Sequence, residues 1–402
     1  MKHYINHIHH SKNRELNEMY VAMSMRSFAI SLIGIFIPIY LFTIGYSLRN
    51  IFLFYIMANT FQFVGDYLSG HGIARYGAKH LLIASYPMMA VNLTMLVTMK
   101  TFHWPLWALA LTTAVALNLF WTPYHDDFSK AKDKKSAGRQ VGRWIILSEV
   151  CGAFGPLLGG IIAQRFGMTY GIIAALVIVV GAMIPLLGKH EIVPRKPFNR
   201  SACSVKKYYK DLIAYGGLSL EGMTVGVVWP LFLYFFIRDF AKVGFIVTMS
   251  FLLVIFLSLL IGKLTDQYGK ERAMKTGSVV TFFTAGSRVL TSGVSMAYVI
   301  GTVSSLSQIF LLIPFYSVFY IHADKEPRTE YVTLMEMSVD VFRGILYGIM
   351  YASTFFLPVR YVFLIAFCFA AVGALTTSLI ARSGKSLPKQ IKTHREIAKA
   401  RV

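Results

Sequence analysis

The chain has 402 residues, 55% hydrophobic and 14% aromatic, with only 15% charged and a mean hydropathy of +0.56. Soluble domains carry about 25% charged residues, so this composition excludes an ordinary soluble globule and points to a polytopic membrane protein. The formal net charge of +21 would suit a nucleic-acid binder, but the placement of the basic residues assigns it to membrane topology instead.

The N-terminal "MKHYINHIHH" holds four histidines in ten residues. No cysteine or acid completes a metal set there, so it reads as a solvated basic tail. No cleavable signal peptide is expected, because the first twenty residues are polar and the following apolar run is too long for an h-region. A spanning helix needs about 20 mostly apolar residues. Twelve such segments are predicted, at 20–46, 50–70, 80–99, 104–124, 143–164, 168–188, 208–237, 240–262, 273–293, 296–320, 330–356 and 360–381. Their number puts both termini on one side. On that side lie 31 of the 40 Lys and Arg residues; six lie on the other (Arg49, Lys100, Arg165, Arg238, Lys242, Arg360) and three inside spans (Arg26, Arg288, Arg343). Under the positive-inside rule both termini are expected in the cytoplasm of a plasma (inner) membrane protein. The longest polar interruption, "KHEIVPRKPFNRSACSVKK" at 189–207, divides the chain into residues 1–188, a linker, and residues 208–402. Cys151, Cys203 and Cys368 have no metal-ligand spacing and read as reduced structural thiols.

The two divisions repeat. "GHGIARYGAKH" at Gly70–His80 returns as "GKLTDQYGKER" at Gly262–Arg272, and "GIFIP" at Gly34–Pro38 returns as "GVVWP" at Gly226–Pro230, both 192 positions on. Further along, Pro123 answers Pro314, Phe128 answers Phe319 and Glu149 answers Asp340 at an offset of 191. A constant offset over several spans marks a duplication. Because six spans is an even number, the halves enter the membrane the same way up.

With these features the chain resembles the major facilitator superfamily. The charged turn after span 8 fits the family pattern at Gly262, Leu264, Asp266, Gly269, Lys270 and Arg272; the turn after span 2 fits at Gly70, Arg75, Gly77 and Lys79 and departs from it at Ala74. "GAFGPLLGG" in span 5, with Gly152, Gly155, Pro156, Gly159 and Gly160, is similar to the family's antiporter-associated pattern. The arginine-bearing motif that many proton-coupled members carry in span 4 is missing from "ALTTAVALNLFWTPYH". The resemblance implies an all-α membrane fold of twelve helices in two parallel six-helix bundles. It also implies charged turns that latch the bundles and a mid-membrane site reached alternately from the two sides. Read physically, the turn glycines allow tight backbone, and Asp266 is placed to accept hydrogen bonds at a neighbouring helix start. Basic residues placed for topology account for much of the same pattern, and plain helix packing accounts for the small residues of span 5.

Ionisable residues inside a membrane are costly, so they mark function or pairing. Those in spans are Arg26, Asp66, Glu149, Glu221, Arg288, Glu336, Asp340 and Arg343. Glu221, near the middle of span 7, is the leading proton or substrate candidate, with ion pairing as the alternative. Asp66, Glu149, Asp340, Arg343 and the neighbouring Trp229 complete the candidate set. Glu336, Asp340 and Arg343, spaced i, i+4, i+7, share one helix face. Arg26, Glu336 and Arg288 lie toward span ends, where pairing or snorkelling suffices. His125, Asp126 and Asp127 in "WTPYHDDF" lack the second acidic motif that a metal-dependent membrane enzyme needs, so gating or ion pairing is expected there and an enzyme is not. No phosphate-binding loop is present to use ATP. The expectation is a monomeric, cofactor-free secondary transporter that exports a small molecule with proton coupling. Uptake of a polar metabolite by a facilitator or symporter is one alternative. A non-transporting receptor or lipid-handling protein on the same scaffold is the other.

Overall fold

The computed structural model describes residues 18, 20–131, 150–186, 197–252, 255 and 270–383. Those residues form twelve helical columns, numbered here in chain order: α1 (Tyr20–Thr43), α2 (Leu48–Tyr76), α3 (Ala78–Phe102), α4 (Leu106–Ser129), α5 (Gly155–Arg165), α6 (Met168–Leu186), α7 (Val205–Ile237), α8 (Phe240–Leu252), α9 (Lys270–Ser287), α10 (Val294–Lys325), α11 (Arg328–Ser353) and α12 (Val359–Leu379). Seven of them are long and apolar enough to cross a membrane. Large apolar side chains such as Val177, Phe283 and Val372 stand exposed on the outer faces, as lipid-facing surfaces require. The chain is a multi-pass membrane protein.

Local chemistry sets the element ends. Ser47 starts α2 by accepting a hydrogen bond from the Asn50 amide at 3.2 Å, the usual way of satisfying a free N–H at a helix start. Gly77 ends α2 with φ +90° and leads directly into α3, a conformation that only glycine adopts without strain. Sequence patterning ends span 2 at residue 70, whereas α2 runs on to Tyr76. Gly70 is therefore not in a turn but in a helix, where a Cβ would lie 2.5 Å from Thr333 Oγ1 and 2.7 Å from the Phe198 ring. Helix α7 likewise starts at Val205, inside the expected linker, because Ser204 caps it through the Lys207 amide. Helix α4 carries "WTPYHDDF" a further turn into the protein, where His125 and Asp126 are buried.

The repeated segments "GIFIP" and "GVVWP" interrupt the same helix of each half. At Gly34–Phe36, α1 tightens to a 3-10 turn; at Thr224–Val228, α7 widens to a π turn; a proline follows each. Proline offers no N–H, so the preceding turn cannot close with regular hydrogen bonds. The two breaks lie against each other at the centre of the protein.

Contacts between the halves occur at both ends of the bundle among the described residues. At the end away from the termini, the Phe42 and Phe235 rings lie 4.8 Å apart and Arg49 Nε donates to Thr354 Oγ1 at 3.3 Å. There α5 is pressed between α1 and α8. A Cβ at Gly159 would stand 1.8 Å from the Leu32 carbonyl oxygen, one at Gly160 2.5 Å from that of Phe240, and one at Gly244 2.1 Å from that of Pro156. Lipid supplies no hydrophobic drive between helices, so this close backbone packing is what holds them. At the opposite end the contacts are polar: Thr329 Oγ1 donates to Asp126 Oδ1 at 2.8 Å and Ser129 Oγ to Asp324 at 3.2 Å.

Candidate functional site

Helices α2 and α11, from opposite halves, run antiparallel along most of their lengths, from Arg49 beside Thr354, through Tyr55 stacked on Tyr347, to Gly70 against Thr333. Each carries a polar stripe into this seam: Asn59, Gln62, Asp66 and Ser69 on α2, and Glu330, Glu336 and Asp340 on α11, all buried. Helix α4 adds a third stripe, Asn118, Thr122 and His125, spaced like Glu336, Asp340 and Arg343.

The stripes meet in one network. Asp66 Oδ1 accepts from Asn118 Nδ2 and, at 2.8 Å, from Thr122 Oγ1. Asn118 also donates to the Gln62 carbonyl at 2.9 Å. Gly65 makes room for it, since a Cβ there would stand 2.4 Å from Asn118 Oδ1. The Asp340 carboxyl, on the facing helix α11, lies close enough to act electrostatically on Asp66. Glu336 Oε1 accepts from Tyr215 Oη at 2.9 Å and stands 3.6 Å from His125 Nε2, while His125 Nδ1 shares a 2.8 Å hydrogen bond with Tyr320 Oη. Arg343 acts electrostatically on Asp66, Glu336 and Asp340. Its Nε and Asp340 Oδ2 are buried with no hydrogen-bond partner among the described residues. Three carboxyls, an imidazole and one guanidinium thus meet at the seam between the halves. Charge there is mutually dependent: a proton gained or lost at one group changes the attraction or repulsion felt by the rest.

Beside this network lies a cavity of about 590 Å³, lined from both halves and by both helix breaks: Gly34, Ile35 and Ile37 on one side, Gly226 and Val227 on the other. Its volume is in the range for a drug-sized ligand. Tyr316 belongs to both places: it lines the cavity, and its ring meets edge-on that of Tyr215, the donor to Glu336, with centroids 6.3 Å apart.

Of the residues singled out from sequence, the structure brings Asp66, Asp340 and Arg343 together. Glu221 is elsewhere. It is fully buried in a two-pronged ion pair with Arg288, Oε1 to Nη2 at 2.8 Å and Oε2 to Nη1 at 3.0 Å, between α7 and α9. Arg288 therefore does not reach for a membrane surface; it is 1% exposed. Trp229 packs against Phe367 and beneath Arg288 and is not among the cavity-lining residues. Arg26, for which pairing or snorkelling was expected, is buried over the Phe120 ring and lines the cavity. Arg75 lies over Tyr76, Lys79 is buried, and Arg272 falls in the first turn of α9, as does Lys270. Glu149, Gly262, Asp266 and Gly269 lie outside the described residues. Sequence reading undervalued Glu336 and His125, although the matching three-residue spacings on α4 and α11 were visible in it.

No family model matches the chain, and no curated protein matches it by sequence. Solved structures do. A bacterial homologue of the human drug peptide transporters PepT1 and PepT2 aligns with TM-score 0.69 at 11% identity, over 94% of this chain and 99% of that one. A structure from a study of proton-dependent oligopeptide transporters gives TM-score 0.67 at 11% identity, over 92% and 100%. The E. coli fucose:proton symporter FucP gives 0.67 at 10% identity, over 91% and 97%. The chain therefore has the fold of these structures, twelve helices in two six-helix halves.

Proposed function

We propose that the chain is a secondary carrier that moves a small molecule by alternating access and links that movement to protons. One observation carries the reading: a buried, interdependent set of carboxyls and a histidine spans the seam between the halves, next to a central cavity, where protonation and the relative position of the halves are bound to affect each other. With Asp66 or Asp340 protonated, the repulsion between α2 and α11 is relieved; with both ionised, they repel and the seam loosens. The solved structures with this fold include transporters whose names state proton dependence, which agrees with the reading. Both termini are placed in the cytoplasm of the plasma membrane by the distribution of basic residues, and a monomer suffices for the mechanism.

Export in exchange for protons is the direction that the span 5 motif favours. The glycines of that motif are fully employed in packing α5 against Leu32 and Phe240, so uptake with a proton is the second reading, and the names of the structural neighbours favour it. The test uses purified protein in proteoliposomes with a pH-sensitive dye inside and a panel of metabolites and drugs outside. The expected result is substrate-dependent proton movement whose sign gives the direction. The Asp340→Asn variant should keep substrate exchange across equal pH and lose the response to a pH gradient. Flux indifferent to the gradient, or an Asp340→Asn variant still driven by it, would refute proton linkage. Absence of counterflow across the whole panel would favour a receptor on this scaffold.

A further inference from the structure

Among the described residues that line the central cavity, one carries a formal charge: Arg26. It is 5% exposed and has no hydrogen bond or ion pair to any described residue. What it does touch is aromatic. Its guanidinium carbon sits 3.5 Å from the centroid of the Phe120 ring and 5.7 Å from that of Trp121. A guanidinium seated on a ring keeps its N–H edge free for a planar anion. Burying a charge without a counter-charge is costly, and elsewhere in this chain the cost is met by a partner, as Glu221 does for Arg288. Among the described residues Arg26 has no such partner, and its open side is the cavity.

The rest of the wall has a different character. Ile33, Ile35, Phe54, Leu93, Leu96 and Phe251 make most of it apolar. The Tyr55 hydroxyl lies in the wall with no hydrogen bond to any described residue. We infer that the cavity takes an amphipathic organic anion, its carboxylate or phosphoryl head held by Arg26 and its apolar body lying along the helix breaks. The inference rests on the carrier reading for its biological sense, and names the class of substrate that such a carrier would move. An acid in the wall would argue for an amine and a second cation for a dianion; neither is present among the described lining residues.

The test is equilibrium binding to the full chain in detergent, read by thermal shift and by calorimetry, with no gradient applied. The probes are matched sets on phenyl and octyl bodies: carboxylate, phosphonate, alcohol and amine. The expected result is binding by carboxylate or phosphonate and none by amine, with the alcohol weaker. Which of the two anions binds tighter identifies the head group. Arg26→Gln should lower anion affinity about 30-fold or more, the ratio that follows from removing one partner of a buried charge pair, whereas Arg26→Lys should keep most of it. The ligand-free melting transition of each variant confirms that it folds. Amines binding as well as carboxylates, anions binding Arg26→Gln as tightly as the parent, or no probe binding to folded protein would each overturn the inference. The two readings fail separately. An anion that binds but is never carried overturns the carrier and leaves the site; proton-linked flux of amines overturns the anion site and leaves the carrier.

Discussion

Glu221 would be the first carboxyl to mutate on the sequence alone, and the structure turns that experiment into a test of stability. Its carboxylate and the Arg288 guanidinium are 0% and 1% exposed and meet through two hydrogen bonds. Removing one partner of such a pair costs about 3–5 kcal/mol, because the other charge stays buried and alone, whereas replacing both with apolar residues is often neutral or better. Glu221→Gln and Arg288→Met should therefore each destabilise the protein by about 3–5 kcal/mol. The double variant Glu221→Met with Arg288→Met should recover most of that loss, giving a large coupling energy in the cycle. The assay is the apparent melting temperature of the four proteins in one detergent, with yield from membranes as a second measure. Helix α12 packs against α7, where Phe232 meets Phe367, and against α9, so the double variant retains the apolar contacts around the pair. Single variants that melt with the parent, or a Glu221→Gln protein that is fully stable yet no longer responds to a pH gradient, would refute a structural role for the pair and return Glu221 to the transport path.

Two further outcomes follow from packing and accessibility. Gly159→Ala places a methyl group 1.8 Å from the Leu32 carbonyl oxygen, so it should destabilise by about 1–3 kcal/mol or more. Gly226→Ala, with nothing within 4 Å, should melt close to the parent; the reverse order in a melting experiment would contradict the helix contacts described. Cys203 lies ahead of α7, half-buried, with Sγ 3.9 Å from the Glu330 carbonyl oxygen. Burial, and then the nearby Glu330 charge, push its thiol up from the ordinary range. Since only the thiolate reacts, a membrane-impermeant maleimide should label it slowly at neutral pH and faster as pH rises toward the raised value. Labelling should occur from the cytoplasmic face alone; labelling of intact cells from outside would invert the topology.

Much of the architecture is readable in the sequence because lipid leaves so few choices. Long apolar runs become helices, and the uneven Lys and Arg content of alternate loops sets the direction expected of them. The 192-residue offset announces the doubling and, through "GIFIP" and "GVVWP", the two places where regular helix fails. The stripe of Glu336, Asp340 and Arg343 was legible as a face of a helix. Its partners were not, because the rotation of each helix about its own axis decides which side chains meet, and helices apolar on most sides carry no stripe to fix that rotation. The same ignorance hid the match of Glu221 with Arg288, 67 residues away, and the packing of Trp229 against Phe367. For Arg26, nearness to the span's end suggested pairing or snorkelling, and the rings of Phe120 and Trp121, on a helix distant in sequence, were not legible as its neighbours.

The paired interruptions of α1 and α7 bear on how such a protein would move. Beyond them, the outer segments of the two helices are joined at Phe42 and Phe235; before them, the inner segments rise from the side where Asp126 meets Thr329. A joint at mid-length in each column lets one end stay clasped while the other swings, so the halves need not tip as solid blocks. In the proposed carrier the chain would then work less as a see-saw than as a pair of elbows, with cargo resting in the crook and each arm free to open in its turn.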